Sequence, residues 1–543
     1  MKLKENSSEQ KLRGAYYTPL KLARAMVDIC FSPFVNNVLE PSCGDGVFLD
    51  AMSEKGVLQN LETVIAVEVE EKEAGKVREH YKKHNNISVY AQDFFEFYNS
   101  CLEKNKKYDL ILGNPPYIRY QYLTEKQRAL QSDILTSHGM KANKLINAWV
   151  AFLVANIQLL SDNGKIAFVI PAEILQVAYA EELRLFLSNS LSSITLITFE
   201  KLVFPDIEQE IIVLIGEKGG STNGIRIIEM EDLDSFNNVN LSSVDFQPLH
   251  HVKEKWTKYF ITLQELKLIN DIKKSKHFNR FADYGLINVG ITTGNNAYFS
   301  ITEDVCKKYD LEKVSLPLIG RSSHAHGIYF TNDDWEVNKK QGKRARIIAF
   351  PEKIAFKEYP KLHKDYIRLG EENGENTGYK CSIRDRWYIV PSIWIPDAFF
   401  LRRNNLYPKL VLNKISAVST DTMHRIKFNL DVEPENILLS YYNSIAFAFT
   451  ELCGRSYGGG VLEILPKEMG NIVLPKIKNI NPALRREVLD YVDDVVRNNK
   501  NIEIALDVVD EKILVECLGI EKDWCVKCRD IWLKMQRRRL RRG

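Results

Sequence analysis

The chain has no apolar run of the roughly 18 residues that a bilayer span needs, and its polar opening MKLKENSSEQ lacks the apolar core of a signal peptide. Both absences lead us to expect a cytoplasmic protein with no membrane partner. Cysteine is sparse too: nine residues without framework spacing fit a reducing compartment better than a disulfide scaffold. Cys525 and Cys528 form a CxxC with Cys517 upstream, but no second CxxC and no paired histidines complete a zinc site. Ordinary thiols and no metal are expected. Nor is there an internal repeat, or any low-complexity tract apart from the basic end KMQRRRLRRG.

What is present describes a globular protein of several domains: 543 residues, 45% hydrophobic and 27% charged. The net charge of +3 hides an asymmetry. Residues 1–245 hold 25 Lys+Arg against 33 Asp+Glu, net −8, which leaves 49 against 38, net +11, for the remainder. The basic part is the better candidate for binding a polyanion. The end KMQRRRLRRG could reach phosphates or could equally be a solvated terminus.

From Val38 to about Glu217, short β-rich runs alternate with longer helical or polar segments: NNVLEP, ETVIAVEVE, ISVYAQD, YDLILGNPP, GKIAFVIPA, ITLITFE and EIIVLIGEK. Such alternation predicts a parallel, doubly wound α/β sheet. NAWVAFLVANIQLL reads as the helix before GKIAFVIPA, with Asn163-Gly164 as its stop. After about residue 245 the register becomes irregular, with short strand-like pieces and many aromatics, and helical segments follow from about Asn481. The expected domains are therefore 1–245, 246–480 (α+β) and 481–543 (helical with a basic tail).

In VLEPSCGDGVFLDAM, Glu40 stands at a strand end, and Gly44 and Gly46 make a tight turn before a helix. Glycines let backbone approach a ligand closely. Glu68 closes the next strand, about 20 residues on, the placement that accepts hydrogen bonds from ribose hydroxyls. Asp93, after ISVYAQ, falls on the same carboxyl edge, where it could accept from an adenine amino group with Phe94 packed on the base. Each acid alone could simply cap the turn or helix behind it. Three in succession favour a nucleoside. GDG departs from the dinucleotide pattern GxGxxG and puts Asp45 where pyrophosphate would approach. Beside Glu40 and Asp45, a positively charged nucleoside such as S-adenosylmethionine fits better.

Asn114-Pro115-Pro116-Tyr117 follows the fourth strand. Proline fixes its own φ and keeps the preceding residue extended, so the corner is rigid. The Asn114 side-chain oxygen and the Pro115 carbonyl become two fixed acceptors, matched to the two N–H donors of a planar amino group. Holding that group tetrahedrally frees its lone pair for a methyl donor, and Tyr117 could stack on the ring that bears it. A plain strand-ending turn is the alternative.

These residues resemble the class I S-adenosylmethionine-dependent methyltransferases, and within them the gamma-class adenine-N6 DNA methyltransferases of type II restriction-modification, whose prototype is the TaqI methyltransferase. The likeness spans residues 13–218, from GAYYTPLKLARAMV through LEPSCGDGVFL, AVEVE, AQDFFEF, LILGNPPY, NAWVAFL and GKIAFVIPAEIL to VFPDIEQEIIVLI. It implies a Rossmann-like catalytic domain, then an α+β target-recognition domain and C-terminal helices. It further implies Tyr17 and Thr18 near the methionine end of the cofactor, and Glu40, Ser42 and Gly44 around its amino acid part. Glu68 would meet the ribose, Asp93 and Phe94 the adenine, and Asn114, Pro115 and Tyr117 the target amino group. Phe204, in VFPDIEQ, resembles the aromatic that contacts the far face of a flipped base, although a core phenylalanine would look the same. The turn reads SCGDGVF where the family often has AxxGxF, a mild departure.

NVGITTGNNAYF, LYPKLVLNKI and YGGGVLEILPKEM look like segments of target-recognition domains. Arg384, Arg386, Arg402, Arg403 and Arg455 are the candidate DNA contacts, against the alternative that each is solvated or salt-bridged. Double-stranded DNA is the expected partner, the base being rotated out of the duplex. A separate restriction endonuclease and a monomeric state are expected with it. Cytosine N4 and a base in RNA are the alternative targets, although cytosine-N4 enzymes usually carry serine or aspartate where this chain has Asn114. A fused nuclease is not expected, because only about a dozen residues precede GAYYTP and no PD…ExK set follows.

Overall fold

The computed structural model describes residues 17–541 apart from 119, 142–145, 202, 205–209, 237–240 and 250–253. Gly14–Tyr16 of the GAYYTP segment, Pro205–Gln209 of VFPDIEQ and the last two residues of the basic end therefore lie outside the described residues. Contacts divide the chain into two units, one through Thr262 and one from Leu263 to Arg541.

The first unit runs α1 (Leu20–Cys30), β1 (Asn37–Glu40), α2 (Val47–Glu54), β2 (Thr63–Glu68), α3 (Glu71–His80), β3 (Ile87–Ala91), α4 (Phe94–Glu103) and β4 (Tyr108–Gly113). It continues with α5 (Glu125–Ser137), α6 (Ala148–Gln158), β5 (Leu160–Pro171), α7 (Glu181–Ser190), β6 (Ser193–Phe199), β7 (Ile211–Glu217) and β8 (Gly224–Met230). The strands form one sheet in the order β3-β2-β1-β4-β5-β7-β6-β8. Neighbours from β3 to β5 are parallel, as the alternating pattern predicts. The sheet is not parallel throughout: β7 inserts between β5 and β6 antiparallel to both, and β8 pairs parallel with β6 at the edge. Periodicity alone does not register that reversal, because a buried strand reads the same in either direction.

Every residue of α6 from Ala148 to Ile157 is buried, which accounts for its apolar character all round rather than on one stripe. The helix ends at Gln158, earlier than the Asn163-Gly164 stop expected for it; β5 begins at Leu160 and runs through that pair, where its pairing with β4 shifts register. The Asn-Gly signal belongs to this irregularity in the strand. On one face of the sheet, side chains of α1 and α2 form a core with Val38, Leu110, Leu112, Val169 and Val213.

The second unit holds a five-stranded sheet, with strands in the spatial order Gly285–Val289, Met423–Phe428, Ala398–Leu401, Leu410–Asn413 and Tyr329–Phe330. A four-stranded sheet contains Arg346–Ile348 and Ser315–Ile319. Helices begin before residue 481: Pro434–Tyr441 and Ser444–Cys453 precede Pro482–Arg497, Ile502–Val509 and Lys522–Leu540. Ser444–Cys453 packs against the last helix, Phe447 meeting Trp532 edge-on at 5.2 Å. Buried Asp510 accepts from the backbone N–H of Ser444 at 3.0 Å and pairs with Arg529 at 3.1 Å. The basic end turns partly inward here, Arg537 and Arg541 remaining exposed. Arg538 and Arg539 are buried, and Arg539 pairs with buried Glu451 at 2.8 Å.

Candidate active site

A doubly wound sheet places its ligand outside the carboxyl ends of the strands, where the strand order reverses. Here that point lies between β1 and β4. Glu40 is the last residue of β1, Glu68 the last of β2, and Asn114 follows β4 directly. The Ser42 hydroxyl donates to the Asn114 backbone carbonyl at 3.2 Å, tying the two sides of the switch point together.

Gly44 and Gly46 both have positive φ, 53° and 87°, so the turn after β1 demands glycine. The Gly44 N–H donates to the Glu68 carboxylate at 2.9 Å, and the other Glu68 oxygen accepts from the Glu70 N–H at 3.0 Å. Tyr17 lies over this turn: a methyl at Gly44 would stand 3.4 Å from the Tyr17 ring. Burial, then the acids Glu73, Asp45 and Glu68, raise the Tyr17 phenol above its ordinary value. Thr18 beside it is buried.

Glu40 is 1% exposed, and among the described residues neither of its carboxylate oxygens has a hydrogen-bond partner. Burial holds its pKa well above the usual carboxylate range, and Asp45, Asp50 and Glu68 push in the same direction. A buried, unpartnered carboxyl costs several kcal/mol by order of magnitude, so the fold bears a penalty that a bound cation would relieve. With exposed Asp45 beside it, the turn repels phosphate and attracts positive charge.

Asp93 caps α4, one oxygen accepting from the Phe95 N–H at 2.9 Å and the other from the Gln127 side-chain amide at 3.3 Å. Glu68 and Asp93 thus do the local capping that any strand-end acid can do, while each oxygen keeps a further lone pair for a ligand. Phe94 is buried, with its ring stacked on Phe152 at 4.6 Å. Gln127 was not foreseen: it completes a capping box with Thr124 on α5, and nothing in its spacing from Asp93 marks the contact.

Pro115 is buried, and Asn114, Pro116 and Tyr117 are half-buried. The Tyr117 hydroxyl donates to the Val169 carbonyl of β5 at 3.0 Å, and the Ala148 N–H at the start of α6 donates to the Ile118 carbonyl at 2.9 Å. The corner is therefore pinned from both sides. Phe204 is 7% exposed and belongs to the core cluster on which Tyr117 also packs. The structure thus brings Tyr17, Gly44 and Glu68 together at the turn, links Ser42 to Asn114, and places Tyr117 and Phe204 on one cluster.

The arginines of the second unit are largely engaged within it. Arg384 donates to the carbonyls of Thr292, Thr293 and Trp387, and Arg386 to those of Glu352 and Ile354. Arg402 pairs with Glu463 at 3.0 Å and Arg455 with Glu468 at 2.7 Å. Arg403 is the most open, 72% exposed with Glu463 3.5 Å away. Burial pushes the Cys525 thiol up to about 12 and holds the Cys528 thiol well above its ordinary value, and among the described residues no cluster of metal-ligating side chains occurs.

Two family models match the chain: "Eco57I restriction-modification methylase" over residues 48–204 and "Type II methyltransferase M.Eco57I, C-terminal domain" over residues 253–514. The type II methyltransferase M.AccI of Acinetobacter calcoaceticus is 25% identical over 543 aligned residues, 95% of each chain. M.HindII of Haemophilus influenzae is 24% identical over 59% of this chain and 60% of its own. Among solved structures, the type IIL restriction-modification enzyme MmeI in complex with DNA is similar over 95% of this chain and 74% of that one, with a TM-score of 0.55 and 12% identity.

Proposed function

Since the chain belongs to the type II restriction-modification DNA methyltransferases, we propose that it methylates the N6 amino group of adenine within a specific double-stranded DNA sequence. The first unit has the Rossmann-like sheet of class I methyltransferases. The observation that carries the reading is the rigid NPPY corner at the switch point, bonded to the turn that follows the unpartnered Glu40 carboxyl.

S-adenosylmethionine, when bound, supplies the methyl group. The residues fit it: Glu40 for its ammonium group, Glu68 for ribose, Asp93 for the adenine amino group, with Tyr17, Thr18, Ser42, Gly44, Asp45 and Phe94 around them. Rotating the target base out of the duplex costs a few kcal/mol, partly offset by stacking on Tyr117 and contact with Phe204. Asn114 Oδ1 and the Pro115 carbonyl accept the two amino hydrogens and hold the nitrogen with its lone pair out of conjugation with the ring. No strong base is required at this point, because the proton is shed after the nitrogen has become cationic. Arg403 is the most accessible of the five arginines for DNA contact, and Arg384, Arg386, Arg402 and Arg455 act by shaping the surface. The chain acts as a monomer and protects host DNA from a separate endonuclease.

Methyl-labelled S-adenosylmethionine, offered together with unmethylated DNA, RNA and protein, tests the reading. Label recovered from DNA as N6-methyladenine supports it; label confined to RNA, to a glutamine side chain or to cytosine overturns it.

A further inference from the structure

Several loops of the second unit meet around Thr292–Ala297. Gly294, at φ 85°, lies so close to the next segment that a methyl there would stand 2.8 Å from the Lys380 Cβ. Arg344 donates to the Ala297 carbonyl at 2.6 Å, and Lys343 to the Ser323 carbonyl at 3.1 Å. Thr422 joins from another loop, donating to the Gly320 carbonyl at 3.0 Å. Lys380, Lys343, Arg344 and Arg321 are thereby gathered on connected loops.

Arg321, Arg344 and Lys380 are exposed and Lys343 partly so. Among the described residues none of the four forms an ion pair. Glu375 and Asp421 accept from the side-chain amides of Asn295 and Asn296 in the central loop. On the C-terminal helices the arrangement differs: Lys500, Lys512 and Lys522 pair with Asp494, Glu487 and Glu511. Gathering like charges without counter-ions costs self-repulsion unless an anion meets them. Arg344 donates to the Ala297 carbonyl and Lys343 to the Ser323 carbonyl and the Asn338 side-chain oxygen, neutral acceptors that position these two side chains while leaving their charge unneutralised.

We propose that Arg321, Lys343, Arg344 and Lys380 form a basic collar that grips the phosphates of duplex DNA, a surface that rests on the DNA reading above. Phosphate contacts carry no sequence information, so a mixed-sequence duplex is a sufficient probe. Binding by the full chain is measured over a series of salt concentrations for the wild type and for Arg321→Ala/Arg344→Ala/Lys380→Ala. The slope of log K against log salt should become shallower by ~0.9 per lost contact, about 2.7 in all. Arg321→Lys/Arg344→Lys/Lys380→Arg should keep the wild-type slope, which separates lost charge from a disturbed loop. Lys512→Ala/Lys522→Ala should also keep it. A wild-type slope in the triple-alanine variant, or an equal loss in Lys512→Ala/Lys522→Ala, overturns the collar. Label transfer to DNA by the same wild-type preparation keeps the two ideas apart. With transfer intact, an unchanged slope sinks only the collar, whereas no transfer to DNA sinks the function and the collar with it.

Discussion

Glu40 holds a carboxyl to which none of the described residues hydrogen-bonds. Because burial raises its pKa in the fold above the ordinary glutamate value, the protonated form is favoured there. Its stabilising share is therefore complete below the unfolded value and is lost as pH rises toward the folded one. Glu40→Gln removes that dependence, so in thermal melts without cofactor the variant should exceed wild type by a margin that widens from mildly acidic to neutral pH. The same change should weaken S-adenosylmethionine binding by about tenfold or more, since a buried charge partner is lost. Calorimetry showing wild-type affinity in Glu40→Gln would remove Glu40 from the cofactor site. Asn114→Ala should leave cofactor affinity within about twofold and lower transfer by roughly a hundredfold or more, the scale of losing one preorganised polar contact. The placement of Glu40, Glu68 and Asn114 at the carboxyl edge of the sheet was legible, because each stands at the end of a strand that the sequence pattern marks. Gln127 and the Tyr117 anchor on Val169 were not, because both depend on partners dozens of residues away.

At the scale of elements, Asp93 has two duties that substitution can separate. Asn caps a helix as well as Asp does, so Asp93→Asn should melt like wild type while altering the acceptor offered to a cofactor adenine. Asp93→Ala should lose about 1 kcal/mol in denaturant titrations. Equal loss in both variants would show that the cap does not depend on an acceptor oxygen at that position. The basic terminal helix teaches the opposite lesson about legibility. Its run of arginines suggests a phosphate-seeking or solvated end, whereas Arg539 is 1% exposed and paired with Glu451, a partner that no local pattern reveals. Arg539→Ala strands that carboxyl and should cost about 3–5 kcal/mol, with the double variant Arg539→Met/Glu451→Leu recovering much of it. A single-variant loss below about 1 kcal/mol would mean that the pair contributes little.

For the whole molecule, the alternation of strands and helices foretold the doubly wound unit, since parallel crossovers leave that pattern. The irregular stretch after residue 245 gave little beyond its excess of positive charge, because short strands paired across long sequence separations have no local signature. That excess is also unevenly used: Arg384, Arg386 and Arg455 are bound up inside the unit, while Arg321, Arg344 and Lys380 remain open. The central claim is that the corner at Asn114 methylates adenine in DNA. The most direct test expresses the chain, and separately its Asn114→Ala variant, in a bacterial host devoid of other DNA methyltransferases and maps modified bases across the genome. N6-methyladenine at one recurring sequence with the wild type, and none with the variant, is the predicted result. N4-methylcytosine, no DNA modification, or N6-methyladenine undiminished in the variant would contradict it.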